Sequence, residues 1–156
     1  MRKRILDSAR GSAGAQSFAG WRDLDQIATV EVTSEHPGFP IESVFSNEGP
    51  GWRAAYGGPQ QIRIIFDEPV SVRRIQLRFD EAELTRTQEF TLRCSSADDP
   101  GREIVRQRWN FSPSGSTMES EDYAVDLARV SVLELTIEPD VNSRAAIATL
   151  SAWRVA

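Results

Sequence analysis

The chain has one cysteine, one histidine and one lysine among 156 residues, and each scarcity removes a class of chemistry. Cys94 alone forms no intramolecular disulfide. It continues the apolar alternation Phe90, Leu92, Cys94, so it reads as a buried structural thiol rather than a nucleophile. His36, beside the turn HPGFP, brings no nucleophile-elbow sequence with it, so Ser-His-Asp and Cys-His mechanisms are not expected. One histidine and one core cysteine do not make a usual zinc ligand set. There is no Walker loop and no dinucleotide fingerprint, and the Gly-rich GSAGAQSFAG follows no strand. No cofactor is expected. With Lys3 the only lysine, nearly every cation is an arginine, which suits fixed contacts to carboxylates and aromatics. A general composition bias accounts for that count more simply.

Long apolar runs are missing too. The opening MRKRILDSARGSAGAQSF is basic without an apolar stretch behind it, so it does not read as a signal peptide, and nothing later has the length of a membrane span. The cytoplasm is the expected location, with export by a signal-independent route left open. A net charge of −5 and a pI near 5.0 argue against nucleic acid or an anionic membrane as partner.

What the chain does have is short alternating segments. QIRIIF (61–66) sets Ile62, Ile64 and Phe66 against Arg63, and VRRIQLRF (72–79) sets Ile75, Leu77 and Phe79 against Arg74, Gln76 and Arg78. EFTLRCS (89–95) and VLELTIE (132–138) repeat the pattern, which is that of strands with one buried and one wet face. IATVEVTS (27–34), REIVRQRWNF (102–111), EDYAVDL (121–127) and AIATLSAWRV (146–155) complete the set, the last with a bulge expected. In REIVRQRWNF, Trp109 falls in phase with the core. Turn chemistry at DEP (67–69), ADDPG (97–101), SPSGS (112–116) and EPDVNS (138–143) separates these segments. The expected fold is all-β: an antiparallel β-sandwich or jelly roll of about eight main strands over residues 26–156. Residues 1–25 read as an arm, mobile or ordered by a partner, in which RKRILDSAR has the makings of a helical turn and Trp21 pins the segment to the domain.

The run SVFSNEGPGWRAAYGGPQQIRIIFDEPVSVRRIQL, followed by RTQEFTLRCSS and the closing LELTIEPD and ATLSAWRV, resembles the discoidin or coagulation-factor type C domains of the galactose-binding-like superfamily. Val44-Phe45, Trp52, Phe66-Asp67-Glu68-Pro69 and Ile75/Leu77 are the matching positions, and the likeness covers roughly the last five-sixths of the chain. It implies a jelly roll whose loops at one end meet ligands. It also implies that Trp52 packs at the base of the sandwich, a reading favoured over ligand contact. Many proteins of this fold carry a structural calcium where the family has Asp-Gly. This chain has Ser46-Asn47 there, with only Glu48 and Asp140 as nearby carboxylates, so no metal is expected.

If consecutive strands run antiparallel, loops 46–60, 80–88, 112–118 and 139–145 share one end of the sandwich. That end gathers Trp52, Arg53, Tyr56, Glu81, Glu83, Arg86, Asp140 and Asn142. An aromatic face beside arginines and carboxylates suits a sugar, whose apolar face stacks while its hydroxyls take hydrogen bonds. The plainer reading is that Arg53 and Arg86 pair with Glu81, Glu83 or Glu89 and fix the loops. The carboxylate groups Glu81/Glu83 and Glu119/Glu121/Asp122 are common features of strand edges, and no catalytic residue is assigned. The leading expectation is therefore a non-catalytic carbohydrate- or glycan-binding module. The alternative is a protein-interaction or assembly module, with a protein partner or a second copy of itself, that uses the arm or the Arg/Glu sheet face.

Overall fold

The structure, a computed structural model, describes residues 2–6, 20–46 and 48–156. In chain order its elements are β1 (Arg2–Ile5), a short helix α1 (Leu24–Ile27), β2 (Ala28–Val32), a 3-10 turn (Ile41–Val44) and β3 (Trp52–Arg53). They continue with β4 (Gln60–Asp80), β5 (Arg86–Ser95), β6 (Arg102–Phe111), β7 (Met118–Glu138), β8 (Thr149–Leu150) and β9 (Ala152–Val155). The fold is the antiparallel-rich β-sandwich that the alternation implies, built on two long strands.

Each of β4 and β7 spans 21 residues and serves both layers. The first layer runs β1-β2-β4-β7-β5-β6, using the first part of β4 and the last part of β7. The second combines the last part of β4 with the first part of β7 and with β9. Between the two parts the β4–β7 ladder shifts register three times, from Ile65 to Arg74, and Arg129 on β7 takes a left-handed φ of 57°. These irregularities bend the hairpin from one layer into the other. The stretch Asp67–Pro69, read from sequence as a turn between two strands, is that bend within one strand. The segments at 121–127 and 132–138 merge into β7 for the same reason.

Alternation fills the core. Ile62, Ile64 and Phe66 from the first layer face Ile75, Leu77 and Phe79 from the second, all at 5% exposure or less. Phe79 stacks on Phe90 of β5 across the layers, with ring centroids 5.2 Å apart. Cys94 is buried, and Trp109 packs half-buried against the core. On the outer face, Arg63 bridges Glu31 at 3.1 Å and Glu134 at 3.4 Å, and Arg106 and Arg108 reach Glu89. Such cross-strand pairs neutralise the face locally and contribute little each.

The N-terminus departs from expectation. Arg2–Ile5 forms neither a helical turn nor an arm; it is a strand paired in parallel with β2, with Ile5 buried. Its cations meet acids brought from elsewhere: Arg2 with Asp67, Lys3 with Glu35 and Glu42, Arg4 with Glu31. Residues 7–19 of the expected arm lie outside the described residues. Trp21 sits under the Arg74 guanidinium, 5.0 Å from ring centroid to Cζ, and the Arg22 amide donates to Val155 O at 2.8 Å. Near the other terminus the closing strand is interrupted at Ser151: β8 pairs with β3, and β9 joins β4.

Candidate functional site

Backbone hydrogen bonds draw the loops of one end together. Ala54 N donates to Ala148 O at 3.0 Å, Gly58 N to Ala146 O at 3.1 Å, Glu81 N to Thr117 O at 2.8 Å and Val141 N to Thr87 O at 2.8 Å. The loops at 54–58, 81–85, 112–117 and 139–148 therefore form one surface. Gly57 makes its tightest seam: a Cβ there would lie 2.5 Å from Arg144 O, so only glycine lets the two loops touch.

Between these loops lies a cleft of about 390 Å³, lined by Arg53, Glu81, Glu83, Leu84, Ile147 and Thr149 among others. Its volume falls in the range of small-molecule sites. Asp80 also lines it, and Asp80 and Glu81 are each already matched by an arginine, Arg78 and Arg86 respectively. Arg53 is exposed and reaches over the Phe39 ring, 5.9 Å from its centroid. Glu81 accepts from Arg86 Nε at 2.7 Å and from the backbone amides of Glu83 and Leu84 at 3.2 and 3.3 Å. Partial burial raises its pKa, but the Arg86 hydrogen bond and those amides outweigh burial and leave it below the ordinary carboxylate value.

Arg53, Glu81 and Glu83 are thus brought together as the sequence suggested, and the remaining candidates are not. Trp52 is 1% exposed, its Nε1 donating to Ser34 O at 3.0 Å, so it supports the loop from inside. Arg86 is buried as well. Its Nη1 donates to Pro139 O at 2.7 Å and to Gln88 Oε1 at 3.0 Å, and the guanidinium lies 4.7 Å from the centroid of the Phe111 ring. It ties loops together beneath the surface and does not line the cleft. Asp140 caps its own turn, accepting from Asn142 N at 3.0 Å, and neither residue lines the cleft. Tyr56, 47% exposed, stands on the flanking loop beside the Gly57 seam.

Leu84, Ile147 and Thr149 are among the lining residues that sequence reading missed. Leu84 carried a signal, being a leucine inside the charged run DEAELTR, and it is 52% exposed. Tyr56, Leu84 and Met118 are three of the four large hydrophobics exposed among the described residues, and all three stand at this end. The paired carboxylates at Glu119/Glu121 instead turn inward. Glu119 is fully buried and accepts from Gln88 Nε2 at 3.1 Å, while Tyr123 Oη donates to Glu121 Oε2 at 3.2 Å.

At the loop considered for a calcium, Ser46 and Glu48 are engaged with each other. Ser46 Oγ is occupied by the backbone of Glu48, donating to its carbonyl at 2.7 Å and accepting from its amide at 3.3 Å. No group of three or more His, Cys, Asp or Glu positioned to hold a metal occurs among the described residues. Asn47 lies outside them. Among the described residues no helix is long and apolar enough to cross a membrane.

The fold, an antiparallel-rich β-sandwich, is the one found in solved family 32 carbohydrate-binding modules. The sequence matches no family model and no curated protein. Solved structures resemble it at low identity. One is a family 32 module of a family 31 glycoside hydrolase from Clostridium perfringens, at TM-score 0.62 and 14% identity over 90% of this chain and 98% of that one. A second is the family 32 module of NanJ from the same organism, in complex with galactose, at TM-score 0.59 and 13% identity over 82% and 92%. The family 32 module of AlyQ, in complex with 4,5-unsaturated mannuronic acid, superposes at TM-score 0.60 and 14% identity over 83% and 95%.

Proposed function

We propose that the chain is a non-catalytic carbohydrate-binding module whose ligand sits in the loop-end cleft. The observation that carries this reading is a cleft on which Arg53 and the segments 80–84 and 145–149 converge, with the exposed side chain of Leu84 in its lining. Among the described residues Glu83 meets no arginine of the kind that holds Asp80 and Glu81, and Arg53 lines the same cleft as an exposed side chain. A guanidinium and a carboxylate that line one cleft serve the hydroxyls of a pyranose, one donating and the other accepting. Leu84, and Tyr56 on the flanking loop, supply apolar surface for the sugar ring. Trp52 and Arg86 act through the scaffold, keeping the loops in place. Neighbours of this fold are described with a neutral sugar and with an acidic one, so the fold alone does not choose the ligand.

The test is a glycan-array screen of the intact domain, with Arg53→Ala and Tyr56→Ala tested alongside. Binding to a defined glycan set, weakened about tenfold or more by Arg53→Ala, is the expected result. A folded domain that binds no glycan removes the reading. If the same preparation forms a stable oligomer or retains a protein partner, the assembly alternative takes its place.

A further inference from the structure

Beneath the loop-end cleft a chain of polar side chains runs through the interior to β7. Glu81, in the cleft lining, accepts from Arg86 Nε at 2.7 Å. Arg86 Nη1 donates to Gln88 Oε1 at 3.0 Å, and Gln88 Nε2 donates to Glu119 Oε1 at 3.1 Å. Arg86, Gln88 and Glu119 are each 3% exposed or less. Strand pairing sets them there: Glu119 lies opposite Phe79 on β4, and Arg86 lies opposite Phe111 on β6, with its guanidinium against that ring. The charged and titratable groups around Glu119 are Arg86 from β5, with Glu81 behind it, and Glu121 and Tyr123 from its own strand. From β4 and β6 come the two phenylalanine rings.

Two atoms of this chain are left over. Arg86 Nη2 and Glu119 Oε2 are buried, and neither has a hydrogen-bond partner among the described residues. A donor and an acceptor left unmade in one buried network define a second arrangement, in which the guanidinium serves Glu119. Burial and the Glu121 charge keep Glu119 protonated up to about pH 8, so the arrangement seen is that of the neutral carboxyl. Once ionised, Glu119 competes with Glu81 for Arg86. The competition is unequal, because the Glu81 side chain is 15% exposed and water takes over part of its charge, whereas Glu119 is fully buried. Glu81 in turn holds the 81–84 turn by accepting from the Glu83 and Leu84 amides at 3.2 and 3.3 Å. We propose that Glu119 is a positioning residue for the cleft: its proton keeps Arg86 on Glu81, and its ionisation releases the turn that carries Glu83 and Leu84. This rests on the carbohydrate reading above and adds a pH limit to it. Ligand is held on the acid side of the transition and released on the alkaline side.

The experiment follows the Leu84 methyl signals of the labelled, ligand-free domain as pH is raised through 8. Leu84 is expected to titrate with a midpoint near that value, and Leu127, at the opposite end, is expected to stay still. In Glu119→Gln the Leu84 titration is expected to vanish, with the methyls fixed at their acid-side positions. Glu121→Gln keeps Glu119 and removes the neighbouring charge, so its midpoint is expected at lower pH. No titration in the wild type, a titration that survives Glu119→Gln, or an unmoved midpoint in Glu121→Gln would overturn the assignment. A second arm measures the Kd of the strongest array glycan on both sides of the transition. Binding about tenfold weaker on the alkaline side, with no such change in Glu119→Gln, is the expected result. Equal affinity on both sides overturns the positioning role and leaves the carbohydrate reading standing. A domain that binds no glycan removes that reading instead, and the methyl titration, which needs no ligand, still decides the role of Glu119.

Discussion

Glu119 sits fully buried between Gln88 and the carboxylate of Glu121, with the Arg86 guanidinium and the Tyr123 hydroxyl in the same network. Burial first, and then the Glu121 charge, push its pKa from 4.5 up to about 8. In the unfolded chain this carboxyl ionises near its ordinary value, so between about pH 4.5 and 8 the folded form holds a proton that the unfolded form has lost. The contribution to stability is complete below that window and falls as pH rises through it. Glu119→Gln, whose amide does not ionise, is expected to flatten the dependence. Urea unfolding across this range should show the variant gaining on the wild type with each step in pH, and parallel curves would contradict the assignment. Sequence reading missed the network for a definite reason. The strand was read from Glu89, but it begins at Arg86, which puts Arg86 and Gln88 on the same parity as Phe90, Leu92 and Cys94. An arginine and a glutamine on the buried side do not look like core until Glu81, Glu119 and Pro139 are seen to satisfy them.

Among the elements, β1 depends most on distant residues. Its four residues RKRI carry no apolar alternation, and their seat comes from Glu31, Glu35, Glu42 and Asp67. None of these acids announces that role locally, so the strand was not legible in the sequence. By contrast, β4, β5 and β7 were legible wherever Ile, Leu and Phe alternate with Arg, Gln and Glu. Their continuity was hidden, because Asp67–Pro69 has turn chemistry but sits at a bend between layers. Lys3 is the lock of β1, its side chain 3% exposed beside Glu35 at 2.9 Å. Lys3→Met keeps the volume and removes the charge, leaving two carboxylates facing each other. Its expected cost is about 3–5 kcal/mol, read as a lower denaturation midpoint. Adding Glu35→Gln to Lys3→Met is expected to recover part of the loss. An unchanged midpoint in the single variant would show that β1 adds nothing to the stability of the sheet.

At the scale of the whole molecule, strand alternation and turn spacing were enough to reach the sandwich and to say which loops share an end. The same reasoning placed Arg53, Glu81 and Glu83 at one end, and all three line the cleft there. The cleft's lining by Leu84, Ile147 and Thr149 was not legible, because Leu84 stands alone in the charged run DEAELTR, Ile147 and Thr149 read only as positions of the closing strand AIATLSAWRV, and nothing local says that the two segments share a cleft. The central claim is that this end holds a sugar. Its most direct test is to titrate the strongest array glycan into the labelled domain and map the amide shifts. Perturbations are predicted to cluster at residues 53–58, 81–85 and 144–149, around the cleft that Arg53 and Leu84 line, with only weak effects in the Arg53→Ala variant. Shifts confined to the opposite end, at residues 67–71 and 96–101, or an unperturbed spectrum at saturating glycan, would contradict it.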